Sequence, residues 1–418
     1  MTTALLSIDC GIIAEDGRIT VPIHPDHAGI LTDPMGNLTD TPFVHVTDDP
    51  RYIGYRYDRE HNIENIWRIY AALEAYSGVY IIDTYGGYDS IHPRHVNFYK
   101  KQPLAFDPEG ELKPNVHYGY NYDITTNLTH KDIDPDACVI GPVGDMLLPL
   151  VDKTYGHPSR YLFNDTTKAM LHRDTLVLDS QEDSVDALIE FVEKHGEKVF
   201  VKNALSKDVS GVVDTDNFFQ KLDKWSLAGY DPELEEALNA LIDPEHNEQF
   251  QLWGYRTPRF VSVQEARSLY YETRFFCVDG HIVSAAGRII NYVPNWESNI
   301  RPYTYADVTT VYPSKDKDMQ QPQCNPYYAQ MNAAARSNVK TIIADNPDMN
   351  TFVIDMAWDA DLEQPVLVEI NGLSNAGFYG ASPRVIYHEL VPVENTAQLT
   401  YRATQNYLAD LMESAIDM

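Results

Sequence analysis

The sequence predicts a mixed α/β and α+β fold, an N-terminal α/β domain followed by a larger α+β region. Three observations carry that prediction. Residues 1–100 alternate strand-like and helix-like hydrophobic patterns, the mark of an α/β layer. The second half instead reads as pairs of strands joined by turns and flanked by amphipathic helices. Of the 418 residues, 44% are hydrophobic and 22% charged, enough apolar side chain for about two or three cored domains. We expect one domain over residues 1–160 and a second over 161–418, the latter carrying an insertion at about 214–258.

Taken in order, Leu5–Asp9 reads as a strand with a turn at Asp16-Gly17. A helical pattern from Ile63 to Tyr76 leads to the strand Val79–Ile82 and the turn Tyr85-Gly86-Gly87. Residues 101–136, with scattered Pro, Asp and Asn, read as loop or hairpin outside the core. Cys138–Ile140 is a further short strand. A helix starts at the cap-like Asn164-Asp165 and carries Lys168 and Arg173, and another spans Ser184 to Lys194. Val199–Val213 reads as strand, polar loop and strand, and an acidic helix lies near Pro232–Ile242. Arg259–Val263 and Thr273–Val278 are strands, the latter turned back by Asp279-Gly280 onto His281–Ile290. A helix covers Tyr328–Ala344, a strand pair covers TFVIDMAWDADLEQPVLVEING, and a last helix covers Thr396–Ile416.

With 32 basic and 62 acidic side chains the net charge is −30. Such a chain repels nucleic-acid backbones and anionic membrane surfaces, and no local basic patch offsets this. The start lacks a basic, apolar export signal and no run reaches the ~18 apolar residues of a membrane helix, so a cytoplasmic location is expected. Cys10, Cys138, Cys277 and Cys324 form no C-x-x-C pair and read as reduced thiols. His24/His27 and His92/His95 are spaced across prolines, in loops rather than on one helical face, and read as ordinary turn histidines.

Three groups of residues point to chemistry. Glu369 and Asn371 lie two apart on one strand and share a face; if their strand pairs with the preceding one, Asp355 sits opposite them. Three oxygen-bearing side chains there suit a hard cation such as Mg²⁺, although an alternating strand with a solvated polar face gives the same pattern. Lys202 closes the apolar run Val199-Phe200-Val201, before a loop with Ser206, Ser210 and Gly211 that could turn backbone N–H groups to phosphate. Glu272 and Arg274 share a strand, and Arg288 lies on the returning one; two arginines could fork a carboxylate or phosphoryl group. Taken alone, these residues read better as a cross-strand Glu–Arg pair on a solvated sheet.

The order lysine helix, lysine strand with glycine loop, Gln264-Glu265 linker, E-x-R hairpin, then D…E-x-N resembles the ATP-grasp superfamily. The likeness is to the ribosomal-protein glutamate ligase and glutathione synthetase branch, and it covers about Asn164 to Ser382. The resemblance implies two α+β subdomains gripping ATP. It implies that Lys168 and Lys202 contact ATP phosphates, with Ser210 and Gly211 in the phosphate loop. It implies that Val261–Glu265, including Gln264 and Glu265, is the adenine-reading hinge and that Glu272 holds ribose or stands next to the residue that does. Asp355, Glu369 and Asn371 would be ligands of two Mg²⁺, for which Mn²⁺ can substitute. Arg274, Arg288 and Arg301 would face the γ-phosphate and acyl intermediate. Ser374, Asn375 and Tyr379, just after the metal strand, would touch substrate. The sequence departs from the pattern in its single-glycine phosphate loop, its 214–258 insertion and the lack of proline after EING. Phage and bacterial peptide-ligase relatives diverge similarly.

The implied activity is ATP-dependent ligation of a carboxylate to an amine through an acyl phosphate, on small-molecule or peptide substrates. The loop Ser206–Gly211 would close as a lid against water. A kinase stopping at phosphoryl transfer, an inactive nucleotide-binding scaffold and a plain structural protein are the competing readings. A homodimer is expected from the habit of such relatives.

Overall fold

In the computed structural model the described residues are 2–8, 20–21, 44–45, 65, 68–69, 71–83, 95–102, 109, 116–117, 120–141, 165–178, 184–195, 198–203, 210–214, 261–287, 310–311, 323–373, 376–378, 381 and 383–391. The expected helices at 232–242 and 396–416, the bulk of the insertion, and His24, His27 and His92 lie outside them. No helix among the described residues is long and apolar enough to cross a membrane.

The first part of the chain supplies β1 (Thr3–Ile8), the two-residue pair β2 (Thr20–Val21) and β3 (Val44–His45), then β4 (Gly78–Asp83) and β5 (His95–Gln102). It continues with β6 (Val116–His117), β7 (Tyr120–Leu128) and β8 (Cys138–Val139). Six of these form one mixed sheet in the order β6-β7-β5-β4-β1-β8, with β1 parallel to β4 and β8 and the rest antiparallel. A parallel pair needs a crossover, and the helical backbone at residues 71–75 enters β4 from it, burying Ala72, Leu73 and Tyr76. The expectation of loop over 101–136 is corrected: β7 is a nine-residue strand in this sheet. Its polar residues fall at alternate positions, so Asp123, Thr125 and Asn127 face water while Tyr122 is buried. A half-wet strand has loop-like composition, and only its period of two betrays it.

The middle of the chain folds as α1 (Asp165–Leu171), β9 (Thr175–Leu178), α2 (Ser184–His195), β10 (Lys198–Asn203), β11 (Ser210–Asp214) and β12 (Val261–Glu265). Here too the sequence reading needs correction. Helix α1 stops at Leu171, because His172 takes a left-handed φ of 50°, and Arg173 lies beyond it. The strands form an antiparallel sheet in the order β11-β10-β12-β9. Val261–Glu265 is therefore an interior strand paired on both edges, not a hinge, and residues 266–268 make the connection to the next sheet.

That next sheet is built from β13 (Leu269–Val278) and β14 (His281–Gly287), then, after the short pair β15 (Thr310–Val311) and β16 (Gln323–Cys324) and helix α3 (Tyr328–Asp345), from β17 (Phe352–Asp359) and β18 (Gln364–Asn371). Helix α4 (Pro383–Leu390) follows. The order is β14-β13-β17-β18, all antiparallel. The β13–β14 turn has φ of 48° at Asp279 and 79° at Gly280, the two positive values a two-residue hairpin of this hand requires. One face of this sheet carries Phe275, Cys277, Ile354, Met356 and Leu367, packed on Met331, Ala335, Val339 and Ile342 of α3 and on Met170 and Leu171 of α1. Burial pushes the Cys277 thiol up to about 12, leaving it protonated and inert.

The opposite face puts Phe276, Val278, Ala286 and Val353 into a core shared with Phe378 and with Ile386 and Tyr387 of α4. That core is continuous with Leu5, Leu6, Val79 and Ile81 of the N-terminal sheet. Being covered on both sides, β17 is buried along almost its whole length. Helix α4 starts with a proline, tolerated where no N–H is needed, and buries Pro383, Ile386 and Tyr387 at helical spacing.

An ion pair also joins α4 to the first part of the chain: Arg384 Nη2 lies 2.6 Å from Glu74 Oε1, with His388 Nε2 at 3.8 Å. Burial pushes the Glu74 carboxyl up, but contact with His388 and Arg384 outweighs it and leaves the pKa below 4.5. A depressed native carboxylate pKa contributes stability that is complete above the unfolded pKa and is lost as pH falls through the native one. Glu74→Gln should therefore cost on the order of 1 kcal/mol near neutrality, and the difference from wild type should vanish in strong acid. Denaturant unfolding of both proteins across that pH range measures it.

Candidate functional site

The third sheet aligns three side chains in one register row. Arg274 of β13 lies opposite Asp355 of β17, and Asp355 opposite Glu369 of β18. Asn371, two residues along β18, shares the face with Glu369. Arg274 donates Nε to Asp355 Oδ1 at 2.8 Å and Nη2 to Oδ2 at 2.7 Å, a two-pronged pair. Its third nitrogen, Nη1, donates to the Gly377 carbonyl at 3.0 Å, and Nη2 stands 3.8 Å from Glu369 Oε1. Asn371 Nδ2 donates to Glu369 Oε1 at 2.9 Å and to Asp355 Oδ2 at 3.3 Å, tying the two carboxylates together.

Arg274 and Asp355 are out of water, 6% and 1% exposed, while Glu369 and Asn371 are half-buried. It owes its place to the alternation of β13 and β17: Phe275 and Ile354, the next residues along, point the other way into the α3 core. The ladder slips between Asp355 and Met356, which pair with Glu369 and Leu367 and leave Val368 as the extra residue. The Val368 carbonyl accepts Arg173 Nη2 at 3.2 Å. Without that bulge the parity of β18 would be lost, and Leu367 and Glu369 would not both find their proper sides.

Arg274 therefore grips a carboxylate of its own chain. Its neighbour on β14 is Ala286, and Arg288 lies outside the described residues. Arg301, Ser374, Asn375 and Tyr379 also lie outside them. Lys202 is placed in the interior strand β10, in one register row with Ser210 and Ser262. Ser210 and Gly211 are the first residues of β11, paired with Lys202 and Val201, so they are strand rather than loop; residues 206–209 of the expected lid are outside the described set. Lys168 belongs to α1, whose Met170 and Leu171 join the core on the face away from Asp355.

A second polar group gathers where the two C-terminal sheets meet. Gln264 is buried near the end of β12, and Glu265 pairs with Arg267 at 2.9 Å. Glu272 sits in a bulge of β13, where Tyr271 has a φ of 56°. Burial pulls Arg173 down to about 10, with Asp359, Glu272 and Glu265 partly restoring it. Arg173 and Arg267 had no functional signal in the sequence. Only the left-handed turn after α1 brings Arg173 to this junction.

Chemically, Asp355, Glu369 and Asn371 present hard oxygen donors on one sheet face, with Asn371 Oδ1 left over after its amide nitrogen is used. Two carboxylates against one guanidinium leave an excess of negative charge, which fits Mg²⁺. Among the described residues no three His, Cys, Asp or Glu side chains gather as a metal site; here the third oxygen is an amide.

No protein-family model matches the chain, and no curated protein matches it. Solved structures similar to it include the D-alanyl-alanine synthetase A of Vibrio cholerae, at 13% identity and a TM-score of 0.39 over 98% of this chain and 99% of that one. The D-alanine–D-alanine ligase of Coxiella burnetii matches at 12% and 0.36, over 85% and 96%. The ATP-grasp ligase PsnB, complexed with precursor peptide PsnA2 and AMPPNP, matches at 11% and 0.29. That match takes in 57% of this chain and spans 58% of PsnB. At these scores the likeness carries no argument about activity.

Removing one partner of a buried ion pair strands the other charge. Arg274→Met should thus destabilise the protein by about 3–5 kcal/mol, and adding Asp355→Asn should recover part of the loss. Chemical denaturation of the two variants and wild type gives both numbers.

Proposed function

We propose that the chain is an ATP-grasp enzyme, an ATP-dependent ligase that joins the carboxylate of an amino acid or peptide to an amine through an acyl phosphate. The observation that supports this best is the Arg274–Asp355–Glu369–Asn371 cluster: a buried carboxylate, two half-buried oxygen donors and a guanidinium on one face of a sheet. Asp355, Glu369 and Asn371 would hold Mg²⁺, which when bound would neutralise the β- and γ-phosphates of ATP.

The residues divide the remaining work. Arg274 stands beside the carboxylates with a 3.8 Å gap to Glu369, placed to balance charge on an anionic oxygen brought next to them. Held by Asp355 and by the Gly377 carbonyl, its guanidinium needs little reorganisation to do so. Lys202, on the interior strand of the neighbouring sheet, and Lys168 are proposed for the phosphates, with Ser210 and Gly211 beside Lys202. Gln264, Glu265 and Glu272 flank residues 266–268, the connection between the two sheets, and are proposed for base and ribose. Arg288 and Arg301 are proposed to assist Arg274, and Ser374, Asn375 and Tyr379, which follow β18 directly, to contact substrate.

ATP with Mg²⁺ at about a hundred times its dissociation constant should stabilise the protein by roughly 2.7 kcal/mol, seen as a raised melting temperature that needs both components. Phosphate release should require a carboxylate and an amine together; ADP formed without the amine, with the phosphoryl group retained on the acceptor and no free phosphate, would favour a kinase. Glu369→Gln should abolish turnover while the melting temperature without ligand stays near wild type. Full activity in that variant would overturn the site assignment.

A further inference from the structure

Gly377, whose carbonyl holds Arg274, is followed by Phe378, and Phe378 leads to a buried charge in the first part of the chain. Arg68 is 4% exposed and its guanidinium carbon lies 5.2 Å from the centre of the Phe378 ring. Arg68 donates Nε to the Tyr387 hydroxyl at 3.1 Å, Nη1 to Asn65 Oδ1 at 3.4 Å and Nη2 to the Ile140 carbonyl at 3.4 Å. The Tyr387 hydroxyl in turn donates to the same Ile140 carbonyl at 2.9 Å. The Phe378 ring meets Phe276 edge-on at 5.0 Å, two residues along β13 from Arg274, and Tyr387 at 5.5 Å.

The position of Arg68 in the chain is unusual for a charge. Asn65, Ile69, Ala71, Ala72, Leu73 and Tyr76 are all buried around it in the sequence, so Arg68 stands among core residues. A fully desolvated guanidinium costs stability unless its surroundings hold it. Gly141 leaves it the room: a Cβ there would come within 2.5 Å of Arg68 Nη2.

From this geometry we infer that Arg68 is a positioning residue for the site. Resting on the ligase reading, the inference is that Arg68 fixes Phe378, and with it the Gly377 carbonyl that orients Arg274. The N-terminal sheet thereby sets the geometry of a reacting group on the C-terminal one. Arg68 reaches the site through the Phe378 ring, so the effect inferred for it is on orientation and not on ligand binding.

Two readouts on the full chain test this. The first is amide hydrogen exchange over residues 373–381, where Ala376 N–H donates to Leu373 and Ala381 N–H to Phe378. Arg68→Met should speed exchange there while β17 stays protected, a result that does not depend on any activity. The second is kinetics: kcat should fall about ten- to a hundredfold with KM for ATP unchanged, and Arg68→Lys, which keeps a cation over the ring, should restore part of the rate. Should Arg68→Met fail to fold, Tyr387→Phe, which removes only the shared hydroxyl, should shift both readouts the same way by less. Unchanged exchange overturns the inference, and so does faster exchange with wild-type kcat. A wild-type protein that neither binds nor turns over ATP overturns the ligase reading, and with it the role in catalysis, while exchange still decides whether Arg68 holds the segment.

Discussion

A guanidinium and a carboxylate held 2.7 Å apart and away from water are stable only while each keeps its partner. The Arg274–Asp355 pair imposes that condition on the whole C-terminal sheet. It fixes the register of β13 against β17, since a slip of one residue would send one of the two charges toward the α3 core and strand the other. It draws Glu369 and Asn371 to the same place through the β17–β18 ladder. It also claims the Gly377 carbonyl, so the chain leaving β18 must return over the sheet face before α4 can begin.

The two faces of that sheet divide the labour. One is apolar and continuous with α3 and α1, with side chains such as Phe275 and Ile354 that each add about 1.5–3 kcal/mol when fully buried. That burial supports the cost of placing charges on the other face. The other face joins two purposes, a polar cluster toward β18 and an apolar patch that docks α4 and the N-terminal sheet. The polar cluster thus rests on paired strands, with packing rather than loops setting its geometry.

The glycines and left-handed residues sit where this plan bends. Gly280 closes the β13–β14 turn, His172 ends α1 so that Arg173 can reach the Val368 bulge, and Tyr271 breaks the β13 ladder beside Glu272. Each of these three departures from regular backbone lies beside a charged residue. Bulges re-aim side chains without lengthening strands, which is how one sheet serves both a core and a polar cluster.

The sequence by itself determined the elements with strong periodicity: α3 over nearly its full length, the β13–β14 hairpin with its Asp-Gly turn, and the β17–β18 pair with Asp355, Glu369 and Asn371 on one face. Those features are local, because side-chain parity along a strand and turn chemistry are written in neighbouring residues. Tertiary structure alone decided the rest. The partner of Arg274 lies 81 residues away and that of Arg384 lies 310 away, separations that no periodicity encodes. It decided that β7, polar at every second position, is a strand, because only the sheet provides its dry side. It decided that Val261–Glu265 is an interior strand rather than a hinge, because the edges that pair it come from β9 and β10. And it gave Arg68, an arginine among core residues, acceptors drawn from Ile140 and Tyr387, since a buried charge takes its meaning from whatever the fold brings within hydrogen-bonding distance.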